Sequence, residues 1–225
     1  MGGESYQLKM YIQEGKKMKR TIKFLLISVL ILSMLTGCSS SKGEFDGTGY
    51  IKSVLNCSYS ASYDEYVTFT GSTTDAAEDY HSATLQNAAV RFFSKYEMNA
   101  DDSQVEKMEA VLEKAYANSK FTVNSQTEAS YGYDVVVSYT VQTTLQNISS
   151  DIQEKRDLAA TEGLATNIGA DYITEIIELC ENTVENSTSY GDSMTVTFDI
   201  KKDSDGYLSL NTTLFDEIDE NILPF

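Results

Sequence analysis

The sequence predicts an α+β protein in which helices pack on one face of a small antiparallel sheet of about four strands, preceded by a signal-peptide helix. Three observations support this prediction. Apolar residues recur at helical spacing up to Ala115 and again between Ile148 and Asn186. Alternating segments follow each helical block, and the two strands of each pair lie close together in the chain. Helical and strand blocks that are segregated in this way favour an α+β fold.

Three helices and a short apolar-aromatic piece are predicted in the first half of the folded part. Ser62-x-x-Glu65 and Ser72-x-x-Asp75 have the spacing of a capping box, in which two side chains satisfy the free N–H groups at a helix start. Asp101 is followed by apolar residues that repeat every three or four positions. The predicted helices cover about Tyr50–Leu55, Ser72–Met98 and Asp101–Ala115, and the short piece that follows Ser62 covers Tyr66–Phe69.

The strands are predicted from two-residue alternation of apolar side chains. Phe121–Asn124 alternates briefly and Tyr133–Val141 alternates for longer, with a hairpin turn at Tyr131-Gly132 between them. A second pair follows later in the chain, with a tight turn in which glycine takes a positive φ. This pair consists of Met194–Ile200, the turn Asp203–Gly206 and the return strand Tyr207–Leu210.

Three more helices are predicted in the second half. The helical spacing of residues 148–186 is interrupted at Gly163 and Gly169, which predicts two helices instead of one. Leu214, Ile218 and Ile222 predict a short final helix.

The N-terminal region has the organisation of a secretion signal. Lys19, Arg20 and Lys23 precede Phe24–Leu35, an apolar run of 12 residues. A membrane-spanning helix needs about 20 apolar residues, whereas the apolar region of a signal peptide has roughly 7–15. We therefore predict a signal peptide at 18–37, with an uncleaved anchor helix as the alternative.

The segment Leu35-Thr36-Gly37-Cys38 resembles the lipobox of bacterial lipoproteins. The resemblance implies that the Cys38 thiol receives a diacylglycerol, that cleavage occurs before Cys38, and that further acylation, such as with palmitate, anchors the chain. Two acyl chains give stable anchoring, whereas one chain binds reversibly. Cys38 is therefore the predicted lipid-attachment residue. The predicted location is the outer face of the cell membrane.

The remaining boundaries follow from this site. A signal peptide begins near its basic residues, and Met18 is such a start, so 1–17 is predicted to be a leader from a mis-assigned start codon. Residues 38–43 comprise the lipidated cysteine and a serine-rich tether. Residues 44–225 are predicted to form one extracellular domain.

The net charge excludes nucleic acid as a partner. The chain carries −17 overall, but residues 1–37 hold six basic and two acidic residues, which leaves 11 basic and 32 acidic residues and a net charge of −21 from Cys38 onward. Such a domain repels phosphate backbones. Its acidity indicates solubility or, alternatively, attraction of cations or cationic peptides.

Two segments of the folded part are similar to an uncharacterised extracellular domain of lipoproteins from Gram-positive gut bacteria. They are Tyr63–Thr73, "YDEYVTFTGST", and Asp203–Asp219, "DSDGYLSLNTTLFDEID". The resemblance implies an extracellular lipoprotein domain. That family has no established catalytic residues, so the resemblance assigns none.

Several residues carry side chains that could take part in catalysis, metal binding or ligand binding. His81, with Glu78 three residues earlier, is predicted to be a surface or packing histidine. Cys57 and Cys180 lie in helical apolar patterns, where cysteine acts as a small hydrophobic residue. The sequence leaves open whether the two form a disulfide. The stretch "KKDSDG" lacks the first and last carboxylates of a calcium loop, so a hairpin turn is predicted. A groove lined by tyrosines is the further alternative, formed by Tyr63, Tyr66, Tyr131, Tyr133 and Tyr139.

These observations predict no catalytic residue, cofactor or metal site. The leading interpretation is a lipid-anchored module that binds a ligand or an envelope protein without catalysis, held at the membrane through Cys38. The alternatives are a hydrolase that acts on the cell envelope, and an accessory subunit of a membrane transporter or sensor.

Overall fold

The computed structural model describes residues 45–159, 161 and 170–225. Within these residues the chain forms seven α-helices and a five-stranded antiparallel sheet, which confirms the predicted α+β class with one strand more than expected. The predicted signal-peptide helix lies outside the described residues. The helices are α1 Gly47–Ser60, α2 Tyr63–Thr70, α3 Thr74–Lys95, α4 Asp102–Tyr116, α5 Ser149–Ala159, α6 Ala170–Asn186 and α7 Thr213–Ile222. The strands are β1 Lys120–Val123, β2 Thr127–Ala129, β3 Gly132–Gln142, β4 Tyr190–Lys202 and β5 Leu208–Leu210.

The sheet has the order β1-β3-β4-β5, and β2 pairs with β3 beyond the end of β1. Val137 is aligned with Val123 of β1 on one side and with Val196 of β4 on the other. Because side chains alternate between the two faces of a strand, this register gathers the apolar residues of β3 and β4 on one face. Its fully buried members include Val135 and Phe198.

The helices cover that apolar face. Helix α1 contacts β1 and β3, and α7 contacts β3 and β4. Ile51 and Val54 of α1 and Ile218 of α7 are completely buried. Each such side chain contributes about 1.5–3 kcal/mol through removal from water. The predicted packing of helices on one face of the sheet is confirmed.

The helix starts show where the predicted caps were right and wrong. Asp101 accepts a hydrogen bond from the Gln104 N–H while the Gln104 side chain accepts from the Asp101 N–H, a complete capping box. Ser62 precedes α2 but makes no capping hydrogen bond, so that predicted capping box was wrong. Helix α3 begins after Thr73, which accepts from the Ala76 N–H at 3.2 Å. The predicted cap Ser72 instead contacts the Thr70 hydroxyl at 2.8 Å.

Several other boundaries agree with the predictions. Helices α5 and α6 lie on either side of the predicted interruption, and Gly163 and Gly169 themselves lie outside the described residues, so that interruption stays a prediction. The turn at Tyr131-Gly132 is present, and Gly132 has a φ of 142° that a side chain would strain. Helix α1 is longer than the predicted Tyr50–Leu55, because Asp46 caps it with a 2.7 Å bond from the Gly49 N–H.

Candidate functional site

The predicted lipid-attachment residue Cys38 lies outside the described residues, so its role stays a prediction. The structure does show where the chain enters the domain. The Gln126 side chain donates to the Phe45 carbonyl at 3.0 Å and accepts from the Gly47 N–H at 2.7 Å. The start of the folded part is therefore fixed beside the connection between β1 and β2.

His81 is buried between helices, as expected for a packing histidine. Its Nδ1 lies 2.9 Å from the Ser58 carbonyl, which can only accept, so this nitrogen carries a proton and donates it to that carbonyl. Its Nε2 faces the Glu113 carboxylate at 3.9 Å, and its ring packs edge-on against Tyr63. The carboxylate facing the ring thus comes from α4 and not from Glu78. No hydroxyl or thiol is placed to lose a proton to this ring among the described contacts.

Cys57 and Cys180 are free thiols, and both are buried. Cys57 donates a weak hydrogen bond to the Ala77 carbonyl at 3.4 Å. Burial raises the pKa of each thiol to about 12. A thiol with so high a pKa is a poor nucleophile at neutral pH, because the thiolate is the reactive form. The open question of a disulfide is therefore decided in favour of two separate, unreactive cysteines.

The loop between β4 and β5 is a hairpin turn, as predicted. One oxygen of Asp203, Oδ1, accepts hydrogen bonds from the Asp205 N–H at 2.9 Å and the Tyr207 N–H at 2.8 Å. Gly206 takes a φ of 89°. The carboxylate most similar to a calcium ligand thus holds the turn. Among the described residues no three His, Cys, Asp or Glu side chains converge as a metal site would require.

The tyrosines proposed for a groove are not brought together. Tyr66 is buried and stacks on Tyr80, with ring centroids 5.4 Å apart. Tyr139 is buried beneath the sheet. Tyr131 lies exposed at the β2–β3 turn and donates to the Asp134 carboxylate. The predicted groove is therefore wrong for this set of residues.

The face of the sheet opposite the helices carries mainly polar side chains that are exposed or half-buried. Thr140 and Ser193 contact one another across β3 and β4 at 3.4 Å. At one end the Lys120 ammonium lies 3.5 Å from the centre of the Tyr190 ring. We define the polar face by Lys120, Thr122, Ser138, Thr140, Ser193, Thr195, Thr197 and Asp199.

The open edge is the second feature of this region. Strand β4 has 13 residues, and β3 pairs with it from Tyr190 to Lys201. On its other side β5 pairs only with Ile200, Lys201 and Lys202. We define the open edge as the side of β4 that faces away from β3, from Ser193 to Asp199. No strand of the described residues pairs with this side of the run. This edge could not be foreseen from the sequence, because alternation identifies a strand but not its neighbours.

Comparison with known proteins gives one fold similarity. The crystal structure of the candidate lipoprotein YcdA from Bacillus subtilis matches 90% of this chain with a TM-score of 0.50 and 13% sequence identity. The chain spans 60% of the length of that structure. No family model matches the chain, and no curated protein matches it. None of the helices in the described part combines the length and apolar character needed to cross a bilayer.

Proposed function

We propose that this protein is a lipoprotein anchored to the outer face of the cell membrane through Cys38, and that its domain, residues 44–225, binds an envelope protein without catalysing a reaction. The anchor is supported by the order of basic residues, apolar run and Leu35-Thr36-Gly37-Cys38. The name of the structural neighbour YcdA points in the same direction.

The observation that carries the binding proposal is the open side of the sheet. Its polar face and the open edge of β4 present side-chain hydroxyls and backbone groups that the described residues leave uncovered. The groups most capable of catalysis are placed differently. Cys57, Cys180 and His81 are all buried. An open polar surface, in a domain whose cysteines and histidine are buried, favours recognition over covalent chemistry.

The anchor is tested by growing cells with a fatty-acid probe and comparing the wild-type chain with Cys38→Ser. We expect the label to disappear in Cys38→Ser and to persist in the matched controls Cys57→Ser and Cys180→Ser, because only Cys38 lies in the lipobox. Labelling of Cys38→Ser at the wild-type level would overturn the anchor.

The binding role is tested by crosslinking the lipidated protein in native membranes and identifying what is captured. Thr140→Arg places a long charged side chain on the polar face, while the control Ser82→Arg changes an exposed position on α3. We expect capture by the wild-type protein and by Ser82→Arg, and loss of capture with Thr140→Arg. Equal capture by both variants would exclude the polar face as the binding surface.

A further inference from the structure

We propose that the open edge of β4 binds an extended segment of a basic partner protein as an added strand. This inference rests on the proposed binding function and names the kind of partner. Its basis is the backbone of β4, which continues beyond the short strand β5 with one side left unpaired by the strands of the described residues. An unpaired row of N–H and C=O groups is a template for another strand.

The register shows which backbone groups are available. The Lys202 N–H donates to the Tyr131 carbonyl at 2.7 Å, so Lys202 and each second residue before it turn their backbone groups towards β3. The residues between them turn to the other side. Ser193, Thr195, Thr197 and Asp199 therefore direct their N–H groups to the open edge, as do the carbonyls of Ser193, Thr195 and Thr197, whereas the Asp199 carbonyl takes part in the pairing of β4 with β5. An added strand could satisfy all of them.

The edge also lacks the usual protection against pairing. Natural edge strands are blocked by lysine, proline, a bulge or shortness. The run from Ser193 to Asp199, "SMTVTFD", contains no lysine, arginine or proline. The irregularity in the β3–β4 ladder lies between Thr140 and Gln142, opposite the residues that precede this run. The run is thus regular, and threonine, valine and phenylalanine favour strand geometry.

The charges around the edge select a basic partner over a second copy. Asp192 and Asp199 lie at its two ends, and both are exposed. Glu217 of α7 lies towards its Met194 end: burial and the charge of Glu217 together raise the pKa of Tyr139, whose hydroxyl contacts the Met194 sulfur at 3.6 Å. A second copy would bring these carboxylates against their equivalents. A strand with Lys or Arg near both ends would instead be attracted.

The test uses an eight-residue probe peptide of alternating threonine and valine with lysine at each end, titrated against the folded protein. The control peptide has glutamate at each end. We expect the lysine peptide to bind and the glutamate peptide to bind at least about tenfold more weakly, since Asp192 and Asp199 flank the edge and outweigh Lys201 and Lys202 within a chain whose net charge from Cys38 onward is −21. Equal affinity for the two peptides would refute the predicted preference for a basic strand.

Two variants at Thr195 test the backbone itself. Thr195→Pro removes an N–H that faces the open edge and leaves the hydrogen bonds to β3 in place, a position where strands tolerate proline. Thr195→Ala keeps the N–H. We expect at least about a tenfold loss of peptide affinity in Thr195→Pro and a change within about twofold in Thr195→Ala. A similar affinity in both variants would refute strand addition.

Amide hydrogen exchange of the wild-type protein keeps the test valid if Thr195→Pro fails to fold. The N–H groups of Ser193, Thr195, Thr197 and Asp199 should exchange quickly in the free protein and slow down at saturating peptide. The Val196 N–H, which faces β3, should be protected in both states. Unchanged exchange at the four edge positions would refute the proposal.

Photo-crosslinkers at Thr197 and at Ser82 separate this proposal from the broader one. Crosslinks from Thr197 to a lysine- or arginine-bearing segment of a partner would support strand addition. Crosslinks to a partner only from Ser82 would refute strand addition and the polar face as the binding surface, and would leave only the broader proposal that the domain binds an envelope protein. The absence of crosslinks from both positions in lipidated protein would count against both.

Discussion

Replacement of Arg91 by methionine tests whether one buried ion pair fixes the C-terminal helix to the helical layer. Arg91 of α3 donates to the Asp219 carboxylate of α7 at 2.8 Å and to the Asp219 carbonyl at 3.2 Å. It also donates to the Tyr116 hydroxyl of α4 at 3.3 Å. The Arg91 and Asp219 side chains are 28% and 14% exposed, so both charges are largely removed from water.

The expected loss of unfolding free energy depends on the protonation of Asp219 after Arg91 is replaced. Burial raises the pKa of Asp219 even in the presence of Arg91, whose charge acts to lower it. Without Arg91 the pKa rises further, and the carboxyl group can escape the cost of a buried charge by keeping its proton. Breaking a buried pair costs about 3–5 kcal/mol, and partial exposure of Arg91 reduces this to about 2–4 kcal/mol at pH 7.

The sign of the pH dependence is fixed by the raised pKa. The native variant keeps the Asp219 proton to a higher pH than the unfolded chain does, so its free energy of unfolding falls as pH rises above about 4. Urea unfolding followed by circular dichroism should therefore show that Arg91→Met lowers the free energy of unfolding by about 1 kcal/mol at pH 4 and by about 2–4 kcal/mol at pH 7. An Asp216→Asn background removes the neighbouring carboxyl, whose pKa is also raised by burial and lowered by Arg91.

A double variant is the matched control. Arg91→Met combined with Asp219→Leu replaces both charges by apolar side chains, and such exchanges of a buried pair are often neutral. The double variant should be more stable at pH 7 than Arg91→Met alone. A cost for Arg91→Met that is equal at pH 4 and pH 7, or a double variant no more stable than the single one, would refute this account of the pair.

Two further predictions concern the two buried thiols and the glycines Gly132 and Gly71. Denatured, unreduced protein should take up one alkyl group at Cys57 and one at Cys180, and uptake of none would show a disulfide. Burial raises the pKa of both thiols to about 12 in the native protein, so the unfolded chain loses these protons at a lower pH. The free energy of unfolding should therefore fall between pH 8.5 and 10, by up to about 1.4 kcal/mol per pH unit for each thiol. The double variant Cys57→Ala, Cys180→Ala should show a smaller fall over this range. Gly132→Ala places a Cβ 2.1 Å from the Ile200 carbonyl oxygen and should cost more than about 3 kcal/mol, whereas Gly71→Ala meets no atom within 4 Å and should cost about 1–2 kcal/mol. Equal urea midpoints for the two glycine variants would contradict the geometry.

The parts of the fold that follow from sequence are those with a long, clear period. The alternation of Tyr133–Val141 predicts β3, because one face of that strand is buried and the other is open. Strand β2 was missed, since Thr127–Ala129 has no apolar alternation and is held by pairing with β3. A local pattern cannot show a strand whose stability comes from its neighbour.

The sequence around Ser72 and Thr73 likewise does not show which of the two residues caps α3. Ser72 and Thr73 both carry a hydroxyl that could cap a helix, but the Ser72 hydroxyl contacts Thr70 at the end of α2. Thr73 is then left to cap α3. His81 shows the same limit: its sequence neighbours Glu78, Asp79 and Ser82 are exposed, and its burial depends on Ser58 and Glu113 from other helices. Contacts between elements decide both cases.

The position of the open edge relative to the proposed anchor at Cys38 bears on how strong the proposed binding would need to be. Gly47 at the start of α1 lies against Ile200, so the chain enters the domain at the end of β4 where the open edge finishes at Asp199. Residues 38–44 reach at most about 25 Å however they are arranged, so lipid on Cys38 would hold this end close to the bilayer.

A partner that is itself held in the membrane would then meet the edge at an effective concentration near millimolar, as short linkers provide. Each backbone hydrogen bond adds only about 0.5–1.5 kcal/mol, so an added strand binds weakly in solution and gains occupancy from the shared membrane. The anchored protein and Cys38→Ser should therefore bind the free lysine peptide equally, while only the anchored form should retain the membrane partner in crosslinking. Equal retention of the partner by Cys38→Ser would show that the contact at the edge is sufficient without the anchor.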